Sequence, residues 1–266
     1  MHATIAGRSV NLHTPISLAQ ALYPESGPFR GRGLGTAAFG APAFTAEPVR
    51  AGDFVGATEE GGPLNFFNLT LNPHGNGTHT ECVGHIAKEP MALHDCLQQY
   101  HAWAWVITVP PSIQANGDGL ITQEAIRDAL AALALPPNAV PQEEMPRALI
   151  LRTGPAAERQ GRQWTGSNPP YVEAAALDSL AKDNWLHLLL DLPSVDREED
   201  GGALSAHHAW WQYPGTASRP IRKAASITEL IVVPDYVADG LYWLNLQIAP
   251  LMTDASPSNP VLYPLV

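Results

Sequence analysis

Asn72–Ile86 reads NPHGNGTHTECVGHI, and its reading decides most of what can be inferred about this chain. Three histidines and one glutamate fall within a dozen residues, interleaved with glycine. On an extended strand successive side chains alternate between faces, so His79, Glu81 and His85 share one face while Cys82 takes the other. His79 and Glu81 are two residues apart, which places their Cα atoms roughly 6.6 Å apart, a spacing at which two side chains can grip one ion. His79 and His85 lie about 20 Å apart if the chain stays extended. A bend at Gly84 would bring His85 to the same ion. Without it, His85 serves elsewhere in the site as an acid or base. His74 precedes Gly75 and Gly77, glycines that let backbone fold tightly beside a ligand. Imidazole nitrogen with carboxylate oxygen is the usual donor set for zinc or manganese. Cys82 reads as a small buried hydrophobe.

Outward from this stretch, apolar runs and helical periodicity alternate. Leu64–Leu71, Ala104–Val109, Arg147–Arg152, Trp185–Leu190, Ile227–Val233 and Leu241–Ala249 read as strands. Thr122–Leu133 reads as an amphipathic helix capped by Thr122, Val172–Lys182 as a second helix and Ala203–Trp211 as a short one. Residues 1–63 show no sustained period and are expected to be irregular. With 25 prolines and 22 glycines among 266 residues, a sheet-rich α/β chain with many turns is expected, as one domain over residues 1–266.

Composition narrows the function. Apolar residues make up 45 % and charged residues 15 %, enough for a large core. The net charge is −11, and no block of Lys or Arg could follow a phosphate backbone, which argues against nucleic acid and for a cation as partner. No apolar run is long enough to span a bilayer, and the first residues lack a signal-peptide core. Two cysteines make no disulfide framework. A soluble cytoplasmic protein acting on a small molecule, without nucleic-acid or membrane partners, is the expectation.

Two distant segments can complete a site. LSAHHAWW, Leu204–Trp211, carries adjacent histidines about 100° apart on a helix, of which one can enter the site. Glu229 stands inside the apolar run ITELIVV, where a carboxylate is costly unless paired or bound to metal. Asp191 and Asp196 flank Pro193-Ser194, and loop shaping is as natural a role for them as chemistry. Phe66, Phe67, Trp210 and Trp211 are expected mainly in the core.

Taken in order, these segments resemble the cyclase family of metal-dependent hydrolases, typified by bacterial kynurenine formamidase. The family hallmark H-x-G-T-H-x-D-x-P-x-H is matched at Gly77-Thr78-His79, Glu81 and His85. LILRTG at Leu149–Gly154, DLPSVD at Asp191–Asp196, LSAH at Leu204–His207, Glu229-Leu230 and DASP at Asp254–Pro257 follow co-linearly. The resemblance implies a swivelling β/β/α-type fold, a homo-oligomer (dimer or tetramer), and one or two divalent ions. It implies His79 and Glu81 as ligands, with the carboxylate bridging if two ions bind, His207 and Glu229 holding the second ion, and His85 as acid or base. The chain departs from the hallmark at three positions. The family's first histidine corresponds to Gly75, so either a bulge brings in His74 or that ligand is missing. Glu81 replaces aspartate and Val83 replaces proline. The implied chemistry is metal-assisted hydrolysis of an amide, cyclic amide or ester. Two other readings fit the residues: a 2-His-1-carboxylate iron oxygenase drawing on Arg219 or Arg222 for a co-substrate carboxylate, and a non-catalytic metal- or ligand-binding relative.

Overall fold

The computed structural model describes residues 1–5, 7–133 and 147–266. Seven strands run round a closed barrel in the order Gly240–Ile248, His101–Thr108, Arg147–Arg152, His187–Leu190, Ser226–Glu229, His79–Glu81 and Ala255–Pro264, the last pairing back with the first. A short strand, Ile16–Ser17, joins the outer side of Ala255–Pro264. The four central strands, His101–Thr108 through Ser226–Glu229, are mutually parallel, and the remaining pairings are antiparallel. The helices Gln123–Ala132, Ala174–Lys182 and Ser205–Trp211 lie in the connections between those parallel strands. This is the crossover arrangement that parallel pairing demands. The fold is thus mixed α/β with a sheet-rich core and few helices, as the sequence led us to expect.

Alternation along the strands sorts the core into layers. Leu149, Leu151, Leu188, Leu190 and Ile227 pack outward against Leu177, Leu180, Trp210 and Trp211 of the covering helices. Their neighbours Ala148, Ile150 and Leu189 pack inward with Ala102, Ala104, Val106, Leu244 and Leu262. Alanines at three inward positions suit a seven-stranded barrel, whose interior holds side chains and little else. Strands buried on both faces read as continuous apolar runs, which is why this part of the fold was visible in the sequence.

Some boundaries shift. Thr122 does cap its helix, its hydroxyl accepting from the Ala125 N–H at 3.2 Å. The second helix begins at Ala174, because Tyr171–Val172 pairs as a strand beside Gly119–Ile121. The expected strand Ile227–Val233 ends at Glu229, where Leu230 turns into the left-handed region (φ 55°). Residues 1–63 are more ordered than expected: His2–Ile5 and Arg8–Asn11 form a hairpin, and Thr45–Pro48 pairs with Phe67–Thr70. Ala255–Pro264, a barrel strand, was not anticipated because its three prolines weigh against a strand.

Candidate metal centre

His79–Glu81 lies between Ser226–Glu229 and Ala255–Pro264, and the register sets Glu229 opposite His79 and Ile227 opposite Glu81. Ile227 belongs to the helix-facing layer, so His79, Glu81 and Glu229 share that outer face. The intervening Thr80 meets Thr228 on the other face, hydroxyl to hydroxyl at 2.8 Å. The Nδ1 of His79 donates to the Gly77 carbonyl at 2.9 Å, which turns Nε2 toward Glu229 Oε2, 3.4 Å away. Residues 79, 81 and 229 are buried.

His207 enters from the Ser205–Trp211 helix. Its Nε2 lies 3.1 Å from Glu81 Oε1 and 3.9 Å from Glu229 Oε1. Its Nδ1 is bonded to Asp196 Oδ2 at 2.6 Å, and the same carboxylate accepts the backbone N–H groups of Ala206 and His207. Asp196 therefore fixes both the helix start and the imidazole tautomer, leaving Nε2 as the donor atom directed at Glu81. Of the adjacent pair only His207 enters the site; His208 turns away to the Tyr213 carbonyl.

His74 reaches the site without a bulge. Pro73–Asn76 forms a single helical turn capped by Asn72, and that turn sets the His74 Nδ1 3.1 Å from Glu81 Oε2. Position 75 could not supply the ring, because even a Cβ there would lie 2.2 Å from Ala41 Cβ. His85 is likewise brought in by a bend. The strand stops at Glu81, and Val83–His85 makes one 3-10 turn. A Cβ on Gly84 would stand 2.0 Å from the Met91 carbonyl oxygen, so this close approach requires glycine. The His85 Nδ1 then sits 3.8 Å from Glu81 Oε2 and 3.2 Å from Asp254 Oδ2, and Asp254 also bonds His74 Nε2 at 2.9 Å.

All six predicted residues, His74, His79, Glu81, His85, His207 and Glu229, thus converge. Two overlapping sets have donor atoms close enough to share an ion, His74–Glu81–His85 and His79–Glu81–Glu229, with Glu81 common to both. At the centre the fully buried His79 Nε2 has no hydrogen-bond partner, and Glu81 Oε2, also fully buried, faces the His74 and His85 imidazoles at 3.1 and 3.8 Å. Burial without a partner is costly, and nitrogen and oxygen atoms so placed are suited to a divalent cation. The electrostatics agree. Burial opposes charge on His74 and His207, yet the hydrogen bonds of His74 to Asp254 and Glu81, and of His207 to Asp196 and Glu81, raise both to about 10. Burial raises Glu81, but the charges of His85 and His207 and the bonds from His207 and His74 hold it well below the usual carboxylate range. The carboxylates attract positive charge strongly enough to protonate buried imidazoles, and a divalent ion meets the same demand without those protons.

Two carboxylates that sequence reasoning left without a role belong here. In the sequence Asp196 reads equally as a loop residue and as a chemical group. Asp254 was visible only as part of DASP. Neither has a local pattern that distinguishes it from a turn residue, since each acts on a histidine distant in sequence. The cleft over the cluster, about 320 Å³, is lined by Phe39, His74, His85, Asp196, Arg197 and Glu229 among others. Arg219 and Arg222 are not at the cleft. Arg219 pairs with Asp178, and Arg222 donates to the Trp210 and Trp185 carbonyls, over the Trp210 ring. Trp210 and Trp211 are wholly buried, as expected.

A buried histidine–carboxylate cluster on the outer face of a mixed α/β barrel defines a centre for a hard or borderline divalent cation. The chain belongs to the putative cyclase family, whose model matches residues 10–197, in keeping with the resemblance read from the motif. Similar solved structures extend the likeness over the rest of the chain. One is described as a potential metal-dependent hydrolase with cyclase activity, at 14 % identity and TM-score 0.60, covering 94 % of this chain and 97 % of that one. An isatin hydrolase bound to the product analogue thioisatinate aligns at 15 % identity and TM-score 0.63, over 95 % and 92 % of the two chains. A predicted metal-dependent hydrolase from Bacillus stearothermophilus aligns at 14 % identity and TM-score 0.56, over 94 % and 98 %. No curated relative matches the sequence. Among the described residues, no helix is long and apolar enough to cross a membrane.

Proposed function

We propose that this protein is a metal-dependent hydrolase that opens an amide, cyclic amide or ester bond of a small molecule. The observation that carries the reading is the convergence of His79, Glu81, His207 and Glu229, with the buried His79 Nε2 left unpartnered at their centre. Solved structures of the same fold described as metal-dependent hydrolases and isatin hydrolases support it. His79, Glu81, His207 and Glu229 would hold the ion, with His74 and the second oxygen of Glu81 available to a second. Nitrogen and oxygen donors without thiolate suit zinc or manganese. When bound, such an ion acidifies water and polarises a carbonyl.

The chain's own groups supply the rest. Asp196 holds the His207 proton on Nδ1, and the Gly77 carbonyl does the same for His79, so both rings present Nε2. Asp254 orients His85 through Nδ1, leaving its Nε2 to pass a proton to the departing nitrogen or oxygen. General acid–base help of this kind contributes about 10²- to 10⁴-fold. Phe39 lines the cleft and offers a substrate an apolar face. The test is to strip the purified protein of metal, restore zinc or manganese, and assay isatin, aryl formamides and simple esters. Turnover should follow the metal and vanish in His79→Ala. Activity indifferent to chelation, or intact in that variant, would refute the proposal. Arg219 and Arg222, the arginines an iron oxygenase would draw on for a co-substrate carboxylate, are committed elsewhere, and Arg197 at the cleft is held by Asp118, so the hydrolase is the better-supported reading.

A further inference from the structure

Leu230 follows Glu229 directly and adopts φ 55°, a left-handed conformation that residues with a side chain rarely adopt and that strains the backbone here. Three hydrogen bonds from three other parts of the chain hold it. Its N–H donates to the Leu192 carbonyl at 2.9 Å. Its carbonyl accepts both the Thr78 hydroxyl at 2.6 Å and the Gln20 carboxamide at 2.7 Å. Thr78 precedes His79, and its hydroxyl accepts the Gln20 backbone N–H at 2.9 Å. The Gln20 side-chain oxygen accepts from Thr36 and from the Gly161 N–H. Thr78, Leu230 and Gln20 are all buried.

We propose that Gln20 and Thr78 are positioning residues, a polar knot that locks the strained Leu230 turn and thereby sets the Glu229 carboxylate against His79. The inference rests on the metal-centre reading above. Each of the two ligand-bearing strands is gripped one residue from its ligand, at Thr78 beside His79 and at Leu230 beside Glu229. Without the knot, Leu230 relaxes toward ordinary backbone angles, the direction of Glu229 changes, and Nε2 of His79 loses its facing carboxylate. Gln20 also ties in the segment from Thr36, which carries Phe39 and Ala41 to the cleft. Neither residue touches the cation position, so the effect should appear in metal affinity more than in folding.

The test is calorimetric titration of the metal-free full-length chain with Mn²⁺ alone, with the thermal midpoint of the metal-free form measured alongside. Gln20→Leu keeps the bulk and removes the bonds. Thr78→Val removes the hydroxyl, and Thr78→Ser restores it. We expect Kd to rise about tenfold in Gln20→Leu and in Thr78→Val, in line with the loss of outer-shell support, and to return close to wild type in Thr78→Ser. Metal-free thermal midpoints that fall while Kd stays within twofold of wild type would overturn the proposal, reducing the knot to a folding element. Should Gln20→Leu fail to fold, the Thr78 pair decides alone. A wild-type chain that takes up no Mn²⁺ overturns the metal-centre reading together with this one, whereas normal wild-type binding with unaltered variants overturns this one only.

Discussion

Replacing Asp196 with asparagine isolates one hydrogen bond and should be read out in metal affinity. Asp196 Oδ2 lies 2.6 Å from His207 Nδ1, and the carboxylate also accepts the Ala206 and His207 N–H groups at 2.7 and 3.1 Å. Asparagine keeps the size and one acceptor oxygen but loses the charge. A hydrogen bond to a charged group is worth about 1.5–3 kcal/mol and a neutral one about 1. The imidazole should therefore lose about 0.5–2 kcal/mol of orienting energy and its fixed tautomer. At about 1.4 kcal/mol per tenfold, Kd for Zn²⁺ should weaken roughly two- to thirtyfold. Loss of capping to the short helix adds roughly 1 kcal/mol of destabilisation, or about 2–4 °C for a chain of this size. Titration calorimetry on metal-free protein and a thermal melt separate the two effects. If Asp196→Asn binds Zn²⁺ within twofold of wild type, the carboxylate does not tune the ligand and the reasoning fails.

Gly84→Ala should displace the Val83–His85 turn, since its Cβ would meet the Met91 carbonyl at 2.0 Å; turnover should fall more than tenfold at nearly unchanged far-ultraviolet dichroism. Burial, with Arg222 nearby, depresses His187 to about 4. The unfolded chain takes up that proton near pH 6.5 and the folded one does not, so the His187 contribution to stability should be constant above 6.5 and decline by roughly 3 kcal/mol as pH falls to about 4. Urea melts across that range should show the decline in wild type and much less of it in His187→Asn. Restoring metal at a free concentration about a thousandfold above Kd should stabilise the fold by about 4 kcal/mol and raise the thermal midpoint by several degrees. An unchanged midpoint would count against the centre. Ile150→Ala, which removes a wholly buried side chain from the barrel interior, should cost about 2–5 kcal/mol by denaturant melt and leave metal affinity unaltered.

The legible parts of the sequence were those whose physics is local. Ala148–Leu151 and Leu188–Leu190 are apolar at every position because both faces are covered, and the helix at Gln123 announced itself through Thr122. The spacing of His79 and Glu81 needed only the pleat of a strand. Other features depended on distant contacts. Ala255–Pro264 reads as a loop by its prolines, yet it pairs with both Gly240–Ile248 and His79–Glu81. His74 looked displaced because the hallmark counts residues, while the one-turn helix at Pro73–Asn76 decides where the ring points. Asp196 and Asp254 become recognisable only once their histidines are beside them.

The staple between His74 and Asp254 joins residues 180 positions apart. It sits where Ala255–Pro264 completes the ring of strands. His79, Glu81, His207 and Glu229 all precede that strand in the chain, so the candidate ligands are present before the ring can close. A topology so dominated by remote pairings is expected to mature over milliseconds to seconds, and acquisition of the ion would follow closure of the ring. A divalent ion would then meet a finished receptacle instead of loose imidazoles.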